Sequence, residues 1–264
     1  VFEILFGKAH VLLVKCHIFI IQISDILPYC VSLSQSDRSC QALHCTNAGW
    51  VYTVFVFENR QKGGCISAGQ DLYCLGEAWL ELNSTAPLAS AKTFSPRSGS
   101  AAALALAYAA QGGRASLLTQ LGEDVFGHRI ADALSTAGVD ISRVCFTSRA
   151  PTPLLFDGGG EQQLPHPFFG LLYAPEQLGA DWAADAEMLA FSSACLVDSP
   201  CRYTHLAALD TARTADMPVC FVPSLRPTLW PGEKLRETVL QFLPFADILL
   251  LTADEMELLL EHPG

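Results

Sequence analysis

From residue 71 onward, short apolar runs of strand length alternate with stretches of helical periodicity, and this alternation constrains the fold more than any other feature. Residues 72–75 form an apolar run closed by Gly76, and residues 79–82 offer a second short strand. Residues 99–111 are Ala-rich, a strong helix former closed by Gly112-Gly113. Residues 115–119 then read as a strand. Phe126, Ile130, Ala133, Leu134 and Ala137 recur at helical spacing until Gly138 stops them. Pro, Gly and Phe punctuate residues 150–180, which predicts a loop or an accessory β-element. Beyond it come a strand at 188–192, a helix at 201–215, a strand at 218–222, a helix at 232–242, a strand at 247–251 and a helix at 253–261. Strands alternating with helices of these lengths predict βαβ units and a parallel sheet. Such folds bind ligands at the carboxyl ends of their strands. The junctions to watch are therefore residues 76–77, 98–100, 122–124, 192–198, 223–226 and 252–255.

Residues 1–70 differ in kind. They hold five Lys and Arg against four Asp and Glu, whereas residues 71–264 hold 11 against 23. They carry five of the ten cysteines and little alanine. A shift this sharp marks a boundary, so residues 1–70 are read as an unassigned N-terminal extension. The apolar stretch 11–33 contains Lys15, His17, Asp25 and Pro28, which argues against a membrane span. No basic segment and small-residue cleavage site frame it as a signal peptide, and the expected location is cytoplasmic. Residues 50–57 are β-branched and aromatic and predict a strand. Cys40, His44 and Cys45 lack the spacing of a structural zinc site, and no Cys-x-x-Cys occurs.

The net charge of −11 argues against a nucleic-acid partner, because no broad basic field exists to displace counterions from phosphates. Gly158-Gly159-Gly160 reads as a turn, since neither phosphate-loop nor dinucleotide-binding glycine spacing occurs. Ser98-Gly99-Ser100 either caps the Ala-rich helix or brings backbone N–H groups to an anion or a sugar hydroxyl. Asp124 fits the N-cap of the following helix. His166 and His205 have no partners at catalytic spacing and read as surface or loop residues. Cys195 and Cys201 read as small apolar packing groups.

The order of motifs gives a further reading. Leu75-Gly76-Glu77-Ala78 opens the series, followed by Ser98-Gly99-Ser100-Ala101-Ala102-Ala103-Leu104-Ala105 and Gly112-Gly113. Then come Leu121-Gly122-Glu123-Asp124-Val125-Phe126-Gly127 with Ala137-Gly138-Val139-Asp140, Pro223-Ser224-Leu225-Arg226-Pro227-Thr228-Leu229-Trp230, and Ala246-Asp247-Ile248 leading to Glu255. In this order the segment from 71 resembles the N-terminal portion of the ribokinase/PfkB family of carbohydrate kinases, closest to fructokinase-like members. The resemblance implies an α/β, ribokinase-like three-layer fold with a mainly parallel sheet and a small β-lid. It implies ATP-dependent phosphorylation of a fructose-like sugar, with ATP and Mg²⁺ as cofactors and a small-molecule sugar as partner. By the same resemblance, Glu81, Gly99, Ser100 and Arg226 would bind the sugar, and Glu255 would act near Mg²⁺ and phosphate. A homodimer through the lid would be consistent with it.

Five positions depart from the family pattern: Glu81 replaces an Asp, Ala103 an Asn, Val222 an Asp, Ser224 an Asn and Thr252 an Asn. The family's base is an Asp in a Gly-Ala-Gly-Asp motif that does not occur in this sequence. By the resemblance that base is expected beyond Gly264, so no residue of the sequence is assigned as catalytic. The expectation is thus a partial PfkB-type domain over 71–264, C-terminally truncated and inactive alone. The alternative is a catalytically degraded relative that binds a sugar or a partner without phosphoryl transfer. A chain ending after the last predicted helix is also expected to leave the sheet with an unpaired edge and marginal solubility.

Overall fold

The computed structural model describes residues 39–47, 50–58, 71–92, 95–98, 100–163, 173–179, 181–196, 199–223, 225, 232–252, 255 and 259. The stretch 11–33, His166, most of the helix expected over 253–261, and Gly264 lie outside these residues.

Continuous apolar runs build the centre of the main sheet. The strands β3 (Asp71–Leu75), β6 (Arg114–Gly122) and β10 (Met188–Ser192) are buried along nearly their whole length, as strands covered on both faces must be. β3 pairs in parallel with β6 on one side and with β10 on the other. β7 (Val144–Thr147) continues the sheet beyond β6. β11 (Val219–Val222) and β12 (Ile248–Thr252) continue it beyond β10. These six strands are all parallel. The chain thus builds outward from β3 in one direction, returns to its other side at β10, and builds outward again.

Helices cover both faces. α1 (Ser100–Ala110) buries Ala101, Ala102 and Ala105 against Leu72, Cys74 and Ala190. Its small side chains let the helix approach the sheet closely, which explains an Ala-rich sequence with no strong amphipathic stripe. α2 (Val125–Thr136) adds Ile130, Ala131 and Leu134 to the same face. On the opposite face, α4 (Pro200–Thr214) places Cys201, Ala208, Leu209 and Ala212 at helical spacing against Leu75, Leu189 and Phe191. α5 (Gly232–Phe242) contributes Val239 and Phe242 there. Phe191 and Phe221 stack with centroids 4.3 Å apart in the middle of this layer. A four-residue helix α3 (Pro175–Leu178) precedes β10. The result is the expected three-layer α/β arrangement.

A second sheet stands apart. β4 (Leu80–Ser84) leaves the carboxyl end of β3, and β5 (Ser95–Ser98) returns from it to α1. β8 (Leu154–Gly158) and β9 (Glu161–Gln163) follow β7, and the order is β5-β4-β8-β9. This is the accessory β-element expected over 150–180, and it takes in residues 80–98 as well.

Residues before 71 also join the main sheet, as the antiparallel hairpin of β1 (Ser39–Asn47) and β2 (Trp50–Glu58). β2 pairs antiparallel with β12, matching Ile248 with Val56 and Thr252 with Tyr52. β12 is therefore paired on both sides, by β11 and β2, and the edges of the described sheet are β1 and β7. Cys40, His44 and Cys45 lie on β1. No helix among the described residues is long and apolar enough to cross a membrane.

Candidate functional site

The strand order reverses between β3 and β10. A crevice opens outside the carboxyl ends of strands at such a point. Two turns meet there. Gly76, directly after β3, has φ +150°, and a Cβ at this position would overlap Ser192 Oγ at the end of β10. The absence of a side chain is what lets the two strand ends close up. Glu77 follows and is buried at 4% exposure. Ser192 Oγ lies 3.2 Å from both of its carboxylate oxygens and donates to them. The Glu77 carbonyl accepts from Ala101 N in the first turn of α1. One residue therefore ties β3, β10 and α1 together. Beside it a small cleft is lined by Leu75, Ala101, Leu104, Phe191, Ser192 and Val222.

The small sheet faces this crevice. Trp79, just before β4, packs with Leu155 of β8 and with Ala194, two residues past β10. Glu81 pairs in register with Leu155, so strand alternation puts Glu81 on the face that meets Ala194. Glu81 is half-buried. The opposite face carries Leu80, Leu82 and Leu154, which pack toward α1. This second sheet is in position to act as a lid.

Glu255 closes the other flank. Its Oε1 accepts from Leu225 N at 2.8 Å and its Oε2 from Thr252 N at 2.9 Å. Its own N–H donates to Thr252 Oγ1 at 3.2 Å. Thr252 and Glu255 thus form a reciprocal capping box after β12, and the carboxylate also holds the loop after β11. Both oxygens are engaged by backbone N–H groups. Among the described residues no group of three or more metal-ligating side chains converges. Glu255 thereby fixes the loop after β11 against the end of β12.

Of the expected sugar-site residues, Glu81 reaches the crevice side of the lid. Ser100 begins α1, whose first turn abuts Glu77. Gly99 and Arg226 lie outside the described residues. So does Gly264, and the catalytic base expected beyond it has no counterpart assigned among the described residues. Asp124 is the N-cap of α2, as its spacing predicts, with Oδ1 accepting from Phe126 N and Gly127 N at 3.0 and 2.8 Å. Cys201 is buried, and its Sγ lies 3.8 Å from His205 Nδ1. His205 is a correction: it has no exposed surface, stands on α4, and meets Phe191 edge-on. Its Nδ1 lies 2.7 Å from the Cys201 carbonyl, which makes Nδ1 the protonated nitrogen. Glu77 and Ser192 were not among the predicted site residues. A Glu directly after a strand and glycine, in a stretch otherwise apolar, was the available signal.

One sheet between two helical layers, with a topological switch point and a separate small sheet beside it, defines a three-layer α/β fold class. A model of the "pfkB family carbohydrate kinase" matches residues 70–264, and the chain belongs to that family. It is 32% identical over 171 residues to "Probable fructokinase-3" of Arabidopsis thaliana, covering 62% of this chain and 50% of that one. It is 31% identical over 220 residues to "Fructokinase" of Solanum tuberosum, covering 77% and 68%. Most of the curated relatives it matches are spanned over about half their length. Among solved structures, the ATP-bound fructokinase of Xylella fastidiosa aligns with TM-score 0.56 and 26% identity over 65% of this chain and 58% of that one. A sugar kinase of Pyrococcus horikoshii shares the fold at TM-score 0.60 and 21% identity, over 66% and 63%.

Proposed function

We propose that this chain carries the sugar-recognition part of a PfkB-type reaction, the ATP-dependent phosphorylation of a fructose-like sugar. The observation that carries this reading is the register of Glu81 with Leu155, which puts it on the face of the small sheet that packs, through Leu155 and Trp79, with Ala194 just past β10. A carboxylate there accepts hydrogen bonds from sugar hydroxyls, and a lid that excludes water strengthens each of them. Gly99, Ser100 and Arg226 would complete the sugar contacts, the first two through a helix start that offers backbone N–H groups. The fructokinase names of the relatives at 31–32% identity support fructose as the first sugar to test. The ATP bound to the Xylella fastidiosa fructokinase supports ATP as the phosphoryl donor.

Glu77, Ser192 and Glu255 serve this chemistry as fixtures. Phosphoryl transfer depends almost entirely on positioning and electrostatic stabilisation, so strand-end turns that cannot shift are part of it. A small-molecule sugar is the partner implied, and a lid-mediated homodimer belongs to the same reading by resemblance.

A second reading has its own observation. The cleft beside Ser192 is lined almost wholly by apolar side chains, with Val222 where the family pattern has an Asp. That favours a relative that binds a sugar or partner without transferring phosphate. Calorimetric titration with fructose, followed by an ADP-release assay with ATP, tests both. Turnover at about 1–100 s⁻¹ supports phosphoryl transfer. Saturable fructose binding without ADP release supports the second reading in its sugar-binding form, and no binding of any hexose by the folded chain rejects sugar recognition in both.

A further inference from the structure

The geometry points to Asp124 as the anchor of the lid: its carboxylate fixes the chain leading into β8 and, through that segment, sets Glu81 over the crevice. This inference rests on the sugar-binding reading above but has a readout of its own.

Asp124 uses its two oxygens differently. Oδ1 caps α2 through Phe126 N and Gly127 N. Oδ2 accepts from Thr152 N at 2.7 Å, across 28 residues of chain. Thr152 is buried at 1% exposure, and its Oγ1 accepts from Gly122 N at 3.0 Å at the end of β6. A Cβ on Gly122 would overlap both Asp124 Oδ2 and Thr152 N, so the glycine is what lets these three groups meet. The next residue continues the path. Pro153 O accepts from Leu80 N at 3.0 Å, and Leu80 is adjacent to Glu81. β4 and β8 then run in parallel register from Leu80↔Leu154 to Ser84↔Gly158. Asp124, Thr152, Pro153, Leu80 and Glu81 form one unbroken sequence of bonds from the main sheet to the crevice face of the lid. An N-cap alone needs only Oδ1, and Asn or Ser would serve it equally well. The second oxygen is what a cap does not explain.

That division of labour gives the test. Asp124→Asn keeps an oxygen to cap α2 but places an amide, itself a donor, toward Thr152 N. Amide hydrogen exchange of the full 264-residue chain, read by mass spectrometry, is compared between the wild type and this variant. The expected result is exchange at least about tenfold faster in residues 152–158 and 80–84, with 126–136 unchanged. Fructose affinity is expected to fall several-fold in the same sample. Equal exchange in the lid would overturn the inference, as would acceleration shared equally by α2. Asp124→Ser, also a good cap and too short to reach Thr152, replaces the Asn variant if that one fails to fold. If the wild type binds no fructose, the sugar-binding reading fails, while the exchange comparison still decides whether Asp124 holds the lid.

Discussion

Ser192 Oγ donates to the buried carboxylate of Glu77, 3.2 Å from each oxygen, and so joins the end of β10 to the turn after β3. The two residues lie 115 positions apart in sequence, at the ends of strands that are neighbours in the sheet and flank the topological reversal. The bond sits where a crevice must open in this kind of fold. A hydrogen bond to a charged group contributes roughly 1.5–3 kcal/mol, and removing its donor leaves buried charge less well satisfied. Ser192→Ala is therefore expected to lower stability by about 1–3 kcal/mol, read as a lower urea midpoint at unchanged slope.

Gly76 makes that contact sterically feasible. Its φ of +150° and the overlap a Cβ would make with Ser192 Oγ act together. Gly76→Ala is expected to cost more than Ser192→Ala, on the order of 3 kcal/mol or above. Combining Gly76→Ala with Ser192→Ala relieves the overlap but keeps the strained backbone. The double variant should therefore be more stable than the sum of the two single losses implies, which a double-mutant cycle by urea denaturation measures directly.

Acid sensitivity follows from two carboxylates. Burial opposes the charge on Asp124, but bonds from Thr152, Gly127 and Phe126 outweigh it and hold the carboxyl below its ordinary value. Burial likewise opposes charge on Asp140, and bonds from Ser142 and Ser116 hold it below its ordinary value too. A carboxylate depressed in the folded state adds stability that is fully present above its unfolded value, about 3.9, and is lost as pH falls through the folded value. The urea midpoint is thus expected to be flat near neutrality and to fall below about pH 4–5. Asp124→Asn should lower the midpoint at pH 7 and flatten the acid limb, and an acid limb as steep as the wild type's would contradict this assignment.

How much of this was legible in the sequence depended on burial. β10 reads correctly from Met188 to Ser192 because a strand covered on both faces is a continuous apolar run. α5 reads correctly because its apolar positions repeat at helical spacing. β7 escapes because Val144–Thr147 is an edge strand, half-buried throughout, with no alternation to mark it. β5 escapes because its four residues include Pro96, whose missing N–H suits only an edge, and β5 is indeed the edge of the lid. His205 lies inside, against the expectation of a surface residue, and its own helix holds the signal: Cys201, His205, Ala208, Leu209 and Ala212 trace one buried stripe, and a residue on that stripe lies inside.

The site divides similarly. The strand-to-helix junctions follow from the alternation of elements alone, and Gly76, Glu77, Ser192, Asp124 and Glu255 all fall on them. What the junctions do with one another is tertiary. Neither the Glu77–Ser192 bond nor the reach of Asp124 to Thr152 has a local sequence signature, because each joins segments separated by at least 28 residues.

The central claim is that Glu81, carried on the lid face opposite the end of β10, recognises the sugar. Titrating fructose calorimetrically into the wild type and into Glu81→Gln, each shown to be folded by its melting transition, tests it most directly. The account predicts saturable binding in the wild type and at least about tenfold weaker binding in the variant, the loss expected for a hydrogen bond to a charged group. Equal affinities, or a folded wild type that binds no fructose, would contradict it.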